Sequence, residues 1–302
     1  MDGYQTDVLT DLAIEYIESY PGDQPLYLVL SVEPPHFPLE APEEYERFDP
    51  NQLQTRGNFE DTPELRKRLA TYYAMVENLD WNIGRLMEAL ERRESFSETL
   101  TVYTSDHGDF MGSHGLINRK EHPQEESVRI PALFHMPGTI PAGTRSDELF
   151  GLVDLLPTLL GLADVDIPTH IQGRDYSPLL RGEPFTGPEA QLIEMSGNPR
   201  WNLDFLDWRG VVTKDWKYAF YETGHELLFN LNDDPCELNN LAESDEENRS
   251  RLQKLLLDLL AVTREPYFDV LIEHGASCAK PIRDVGPGMR KGRIAPVWPD
   301  VR

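Results

Sequence analysis

The stretch that most constrains the fold runs from Thr101 to Pro131, because it places potential metal ligands directly after a strand-like segment. Thr99 to Thr104 is a short run of β-favouring residues. It breaks into a polar turn that contains Asp106 and His107. A strand that ends in this way presents its ligands at the carboxyl edge of a sheet, where open α/β folds place their chemistry. The stretch therefore predicts an α/β fold with a functional site at a sheet edge.

Helical and strand-like patterns alternate along the first part of the chain. Thr6 to Tyr20 has the apolar spacing of a helix, and a longer helix is predicted after the start signal Asp61-Thr62-Pro63-Glu64. Between them, Leu26 to Val32 is a continuous apolar run typical of a strand buried on both faces. A further strand is predicted at Ala132 to His135. This alternation predicts a mixed or parallel sheet flanked by helices.

The pattern changes after a Gly- and Pro-rich break between Gly182 and Pro188. Four short strands of a small antiparallel sheet are predicted there: Leu192 to Met195, Arg209 to Thr213, Lys217 to Tyr221 and Glu226 to Asn230. Ser244-Asp245-Glu246-Glu247 has capping-box spacing and predicts a following helix that packs on this sheet. We therefore predict two domains, a catalytic core over residues 1–186 and a C-terminal subdomain over 187–302, whose tail from Lys280 is extended.

Composition excludes several classes of protein. The chain has 53 acidic and 28 basic residues and a formal net charge of -25, which argues against a nucleic-acid partner because phosphate contact needs clustered Lys and Arg. Two cysteines, Cys236 and Cys278, cannot form a disulfide scaffold. No apolar run approaches membrane-spanning length, and polar residues follow Met1 where a signal peptide would have a basic and then an apolar region.

Each candidate site residue also has an ordinary structural interpretation. Asp106 and His107 offer a carboxylate and an imidazole to a metal, but an Asp in a turn commonly bonds local backbone N–H groups. Lys120 could be a solvated surface lysine, and His36 a solvated histidine on its Pro-rich loop. All four follow predicted strand ends, and convergence there would suit a tetrahedral oxyanion, which needs cations and a proton donor.

Four segments of the sequence, in order, carry a family resemblance that covers most of the chain. They are PPHFP from Pro34, YTSDHGDFMGSHG from Tyr103, the Arg119 to Pro131 segment with its EESVRIP ending, and WKY from Trp216 with ELLFNL, DP and NL after it. On these motifs the chain resembles the sulfatase family, within the alkaline-phosphatase-like superfamily. The resemblance implies an alkaline-phosphatase-like mixed sheet flanked by helices and incomplete at the N-terminus, besides the small C-terminal sheet.

The resemblance also implies roles for the candidate residues. Asp106 and His107 match two of the four protein ligands of a divalent cation, usually Ca²⁺, with Mg²⁺ as the alternative. Because His107 stands where many members have Asn, the metal identity stays open. Lys120 matches the lysine that contacts the sulfate group, and His36 the histidine that touches the sulfate or the leaving oxygen. Gln124 stands where the family usually has an aromatic residue.

Two parts of the family pattern have no match in the sequence. They are the Asp-Asp pair that supplies the other metal ligands and the Cys/Ser-x-Pro-x-Arg motif that becomes the formylglycine nucleophile. The nearest approach, Cys278 to Arg283, has its Pro and Arg one position late. We therefore expect the carboxyl-terminal half to two-thirds of a sulfatase, inactive alone. A truncated sequence or misassigned start codon is the favoured explanation, against a proteolytic product or a natural protein that lost catalysis.

The predicted parent activity is hydrolysis of sulfate esters, with a sulfated small molecule or a sulfated glycan as substrate. By the same resemblance the parent would act outside the cytoplasm. Two alternatives stay open: a phosphodiesterase or phosphonate hydrolase of the same superfamily, which shares the metal scaffold, and a non-catalytic module that binds acidic glycans.

Overall fold

The computed structural model describes residues 3–196 and 207–263. They form two compact units, one of residues 3–101 with 135–139, and one of residues 102–134 with 140–263 apart from the gap. The predicted domain boundary between residues 186 and 187 stays a prediction. The tail from Lys280 lies outside the described residues, as does Cys278. No described helix has the length and apolarity needed to cross a membrane.

The first unit is built on two helices, α1 (Gln5–Ser19) and α2 (Pro63–Glu91), with short 3₁₀ turns at Glu43–Tyr45, Pro50–Gln52 and Glu94–Glu98. Both predicted helices are therefore confirmed. Their polar contacts show that they run in the same direction. Asp7 accepts hydrogen bonds from Asn78 and Asn82, while Glu18, further along α1, pairs with Arg92, further along α2. Parallel helices joined by a long connection are typical of α/β folds.

The predicted strand from Leu26 to Val32 is wrong for this structure, because no strand is present there. The run remains apolar but exposed, with Tyr27 at 82% and Val29 at 68% of their full accessible surface. A continuous apolar run reports a preference for burial, whereas a strand also needs a neighbour that accepts and donates backbone hydrogen bonds. The described residues provide no such neighbour for this run.

The second unit begins with the segment that carries Asp106, His107 and Lys120. Strand β1 (Thr101–Thr104) pairs with β2 (Ala132–His135), and the short helix α3 (Glu125–Val128) lies between them in the chain. A 3₁₀ turn at Leu152–Asp154 leads into α4 (Leu155–Leu162), and α5 (Ser177–Leu180) follows. The two strands predicted in this region are confirmed.

The predicted C-terminal antiparallel sheet is also confirmed. It consists of β3 (Gln191–Met195), β4 (Trp208–Val212), β5 (Trp216–Tyr221) and β6 (Glu226–Asn230), in that order across the sheet. Every neighbouring pair is antiparallel, with Trp208 opposite Tyr221 and Tyr218 opposite Leu228. The turn between β4 and β5 closes where the N–H of Thr213 donates to the carbonyl of Trp216 at 2.8 Å.

Helix α6 (Glu246–Thr263) covers one face of this sheet. Leu252, Leu256 and Leu260 are fully buried against Tyr218 and Phe220 of β5. The helix begins one residue later than its predicted capping box implies. Asp245 is the capping residue, because its Oδ1 accepts the N–H of Asn248 at 3.0 Å.

The other face of the sheet carries a second apolar cluster, against which a residue of α3 packs. Its buried members are Trp208, Ala219, Tyr221, Leu227 and Phe229, and Val128 of α3 contacts it. Residues along a strand alternate between faces, so Lys217, Ala219 and Tyr221 of β5 share this second face. The sheet therefore supports, on this side, the segment that carries Lys120.

Candidate functional site

The predicted metal ligands lie directly after β1. The Asp106 side chain is 82% exposed, while that of His107 is about half as exposed. The carboxylate Oδ2 of Asp106 lies 3.5 Å from Nε2 of His107. Two atoms that bind one cation at roughly 2.0–2.5 Å, side by side, lie about 3–3.5 Å apart. The pair is therefore spaced as two neighbouring ligands of one metal ion.

A hydrogen bond to the backbone determines which imidazole nitrogen of His107 has a lone pair to offer a metal. Its Nδ1 lies 2.9 Å from the carbonyl oxygen of Gly108, which can only accept, so Nδ1 carries the proton in the neutral ring. Nε2 then has the lone pair that a metal requires, and a hydrogen bond from the second nitrogen to a carbonyl is the usual support of a ligating histidine. The donor chemistry of this pair fits a divalent cation.

The charge state of Asp106 also suits a cation. Partial burial raises the pKa of Asp106, but the nearby His107 ring and hydrogen bonds from the His107 N–H and the Ser105 hydroxyl outweigh that effect. The pKa of the Asp106 carboxyl therefore lies below its ordinary value. Two residues supply only part of a coordination sphere, so a cation bound here would need further ligands, and the assignment of the pair as metal ligands stays a prediction.

Lys120 lies on a segment that is joined to the metal-ligand loop through Ser127. The hydroxyl of Ser127 donates to the carbonyl oxygen of Lys120, and the carbonyl of Ser127 accepts the N–H of Gly108 at 2.8 Å. A second backbone bond runs from the N–H of Phe110 to the carbonyl of Arg119 at 3.2 Å. The structure thus joins the backbone segments of Asp106, His107 and Lys120, while the convergence of their side chains and His36 in one site stays a prediction.

Gly108 permits this close approach of two backbone segments. A Cβ atom at this position would clash with the carbonyl oxygen of Glu126. Any other residue at 108 would therefore push the loop away from α3. Glycine is needed at this position because the two backbone segments pack too closely for a side chain.

Beneath the Lys120 segment lies a buried ionic cluster that the sequence analysis missed. The ammonium of Lys217, in β5, is only 1% exposed and donates to Glu125 at 2.7 Å and to Glu237 at 2.8 Å. The second carboxylate oxygen of Glu237 accepts the backbone N–H of Glu125 at 2.7 Å. Desolvation raises the pKa of Glu237, although the Lys217 ammonium and these hydrogen bonds oppose it.

One feature of the sequence indicates this cluster, namely a lysine within a strand of apolar and aromatic residues. Lys217 interrupts an otherwise apolar and aromatic strand, and a charge buried in such a strand needs an opposite charge. The two glutamates that precede Ser127 are candidates by charge, whereas nothing local singles out Glu237.

The same region also gathers metal-type ligands. His114, Glu126 and Glu237 each offer one ligand atom within 4.8 Å of the others. The His114 ring nitrogen lies 3.8 Å from Glu126, and both side chains are buried. Both carboxylate oxygens of Glu237 already accept hydrogen bonds, one of them from the Lys217 ammonium. Of these three residues, Glu237 is therefore already paired with a cation, the ammonium of Lys217.

Two aromatic residues of the C-terminal sheet also contact the segment just after Lys120. The indole N–H of Trp208 donates to the carbonyl of Glu121 at 2.7 Å, and the hydroxyl of Tyr221 lies 3.2 Å from Nδ1 of His122. His122 is buried, and desolvation lowers its pKa to about 4. It is therefore a neutral structural residue at physiological pH.

The fourth predicted residue, His36, belongs to the other compact unit. Its exposed ring stacks on Phe37, with ring centroids 4.5 Å apart, and its Nδ1 lies 2.7 Å from the Phe37 carbonyl oxygen. The carbonyl can only accept, so Nδ1 carries the proton in the neutral ring and Nε2 is the nitrogen for acid–base chemistry. The role of His36 stays a prediction.

Two family profiles match the chain. The profile described as sulfatase matches residues 2–165, and the one described as N-sulphoglucosamine sulphohydrolase, C-terminal, matches residues 112–265. Their overlap, residues 112–165, contains Lys120 and α3, whereas Asp106 and His107 lie in the first match only, and the two matches together cover all of the described residues.

Characterised relatives agree with these profiles over part of their length. The chain is 29% identical to an arylsulfatase of Clostridium perfringens over 88% of the chain and 60% of the relative. It is 31% identical to an ulvan-active sulfatase of Formosa agariphila over 85% of the chain and 53% of the relative. The chain thus spans little more than half the length of these relatives.

A solved structure confirms the fold. A protein in complex with its substrate D-glucosamine-2-N,6-O-disulfate superposes with a TM-score of 0.80 and 21% identity, over 88% of this chain and 71% of that one. At this level of identity the likeness shows the fold alone. The predicted alkaline-phosphatase-like α/β architecture is thereby confirmed.

Proposed function

Because the chain belongs to the sulfatase family, we propose that it supplies the sulfate-binding part of a sulfuric ester hydrolase and two ligands of its divalent metal. One observation carries the proposal. Ser127 bonds both to the carbonyl of Lys120 and to the N–H of Gly108, so an ammonium-bearing segment and a metal-type ligand pair are fixed to each other.

We propose Asp106 and His107 as the ligands and Ca²⁺ as the metal, with Mg²⁺ as the alternative. The exposed carboxylate and the Nε2 lone pair support this assignment. A bound divalent cation supplies positive charge that stabilises the oxygens of a sulfate group. The carboxylate oxygen of Asp106 favours Ca²⁺ or Mg²⁺, whereas an imidazole such as that of His107 also suits transition metals. The identity of the metal is therefore to be determined by experiment.

The chain's own residues would bind and protonate the substrate. Lys120 would neutralise a sulfate oxygen through its ammonium, because a fixed cation near developing negative charge lowers the barrier of such a reaction. As an imidazolium, His36 would deliver the Nε2 proton to the departing alcohol and return to the neutral ring, in which Nδ1–H bonds the Phe37 carbonyl. Both roles rest on the family motifs around these residues.

We propose that the nucleophile, a formylglycine, comes from sequence outside these 302 residues, since no Cys/Ser-x-Pro-x-Arg motif occurs in them. The same outside sequence would supply the Asp-Asp pair of metal ligands. The 302-residue chain alone is then expected to show no sulfatase turnover. Measurable metal-dependent cleavage of an aryl sulfate by this chain alone would contradict the assignment.

The proposed substrate is a sulfated small molecule or a sulfated glycan, and the proposed location is outside the cytoplasm. The names of the two relatives support the substrate class, since one is an arylsulfatase and the other acts on ulvan. The formal charge of -25 argues against a non-catalytic role as a binder of acidic glycans.

The test uses this chain extended by the coding sequence upstream of Met1, expressed with formylglycine formation. Hydrolysis of 4-nitrophenyl sulfate should depend on a divalent cation, and Lys120→Ala should lower kcat/KM by about 10²- to 10³-fold. Lys254→Ala removes another lysine, one that pairs on the surface of α6 with Asp258, and should leave the rate unchanged.

Two outcomes would contradict the proposal. Upstream sequence that lacks both the Asp-Asp pair and the nucleophile motif would exclude the sulfatase mechanism for this protein. Faster cleavage of a phenylphosphonate monoester than of the aryl sulfate would assign the protein to the phosphonate hydrolases of the same superfamily.

A further inference from the structure

One face of the C-terminal sheet holds the Lys120 segment at three points. Trp208 of β4 bonds the carbonyl of Glu121, Tyr221 of β5 contacts His122, and Lys217 of β5 bonds Glu125. Trp208 and Tyr221 are directly opposite each other in the antiparallel register. A rigid, two-sided sheet therefore acts as the support for residues 121–125.

The Lys217 contact differs from the other two because it holds α3 twice. The ammonium of Lys217 bonds the side chain of Glu125, and Glu237, bonded to the same ammonium, accepts the backbone N–H of Glu125. That N–H is at the first residue of α3, where no intrahelical acceptor exists. The position and the direction of α3 are thus both set by this pair.

From α3 the constraint passes to both halves of the proposed site. Ser127 is the third residue of α3. Its carbonyl accepts the N–H of Gly108, and its hydroxyl donates to the carbonyl of Lys120. Gly108 directly follows the ligand His107. A displacement of α3 would therefore move the metal-ligand loop and the Lys120 segment.

The backbone at Glu237 adds an independent indication of function. Glu237 has a φ of 53°, in the left-handed region that is unfavourable for a residue with a Cβ. The side chain is fully buried and its carboxylate is desolvated. A strained backbone and a buried carboxylate persist where the surrounding structure requires them, and such positions concentrate at functional sites.

We propose that Lys217 and Glu237 are positioning residues of the sulfate site: they fix α3 and, through Ser127, the backbone at Lys120 and Gly108. They act through Glu125 and Ser127 and are not proposed to touch the substrate. This proposal rests on the function assigned above to Lys120, and its structural part can be tested separately from that function.

The structural part is tested by hydrogen exchange on the 302-residue chain. Glu237 uses both carboxylate oxygens as acceptors, one for the Lys217 ammonium and one for the Glu125 N–H. In Glu237→Gln only one oxygen remains, so one of these two hydrogen bonds is lost. Amides of residues 119–128 should then exchange about tenfold faster or more, while those of β5 and β6 keep their rates. Lys217→Met should show the same pattern, and Lys217→Arg should restore much of the protection because it keeps the charge.

Lys254→Met is the matched control for the loss of a lysine ion pair, since its partner Asp258 lies on the surface of α6. It should leave exchange in residues 119–128 unchanged. Unchanged exchange in that segment for both Glu237→Gln and Lys217→Met would overturn the proposal. Should Lys217→Met fail to fold, Glu237→Gln alone decides the matter.

The catalytic part is tested by a double-mutant cycle in the active, extended polypeptide. Lys217→Met should lower kcat/KM about 10- to 100-fold, since small misplacements of a positioned group have effects of this size. If Lys217 acts through Lys120, adding Lys217→Met to Lys120→Ala should lower the rate much less than it does alone. Full additivity would overturn positioning through Lys120. An active enzyme indifferent to Lys120→Ala would overturn the proposed function, while the exchange result would stand.

Discussion

The two sheets of the second compact unit contrast sharply in how they are stabilised. The four C-terminal strands are covered on one face by α6 and carry a second buried cluster on the other. Strands β1 and β2 form only a two-stranded pair, and Leu133 of β2 is 63% exposed. Both sheets were predicted from similar apolar runs, yet only the C-terminal sheet buries its apolar residues within the described structure.

The difference lies in where the partners of each strand are found in the chain. Strands β4, β5 and β6 follow one another through short turns, and α6 follows soon after β6. Local sequence therefore brings its layers together at little cost in loop closure. β1 and β2 are separated by residues 105–131, so their pairing closes a longer loop of chain.

The largest test of this contrast compares two leucines. Leu256→Ala removes a fully buried side chain of α6 and should lower the free energy of unfolding by roughly 2–5 kcal/mol. Leu133→Ala on β2 should change it by about 0.5 kcal/mol or less, because that side chain is mostly exposed. Denaturant titration followed by circular dichroism measures both values. Equal losses would show that β2 is buried in the protein in solution.

A second test concerns the contact between the C-terminal sheet and the Lys120 segment. The folded-state pKa of His122, about 4, is below its ordinary value of 6.5, so the unfolded chain binds a proton first as the pH falls. The free energy of unfolding is therefore unaffected by His122 above pH 6.5. Between pH 6.5 and pH 4 it falls, because the unfolded state gains a proton that the folded state does not, and the total loss is about 3 kcal/mol. His122→Gln should flatten this part of the stability–pH curve.

Tyr221→Phe is the control for that measurement, because it removes the hydroxyl near His122 without removing the titrating ring. It should lower stability across the whole pH range and keep the slope between pH 6.5 and 4. If His122→Gln left the slope of stability against pH unchanged, His122 would be exposed to solvent in the folded protein. The C-terminal sheet would then not cover the Lys120 segment at this residue.

The smallest contrast compares two predicted helix starts. Thr62 caps α2, because its Oγ1 accepts the N–H of Leu65 at 3.2 Å, whereas Asp245, and not the predicted Ser244, caps α6. Thr62→Ala should lower the free energy of unfolding by about 1 kcal/mol. Ser244→Ala should leave the free energy of unfolding unchanged, as measured by the same denaturant titration. A comparable loss at Ser244 would restore the predicted capping box.

Much of the candidate site could be predicted from the sequence because its motifs are local. Asp106, His107 and Gly108 are consecutive, and Lys120 is close in the chain, so their joint position after β1 follows from one strand end. The same reasoning fails at Leu26 to Val32, where an apolar pattern predicts a strand although no partner pairs with it in the described residues. The pattern reports hydrophobicity, while pairing depends on the rest of the fold.

By itself the sequence determined the helices α1, α2 and α6, the four C-terminal strands and the family, because each depends on patterns of residues close together in the chain. Only the tertiary structure decided that Lys217 is buried between two glutamates, one of them 92 positions and the other 20 positions away. It likewise decided that Glu237 accepts the N–H of Glu125, 112 positions earlier. Such contacts leave no periodic signal, because they form only after distant segments have packed together.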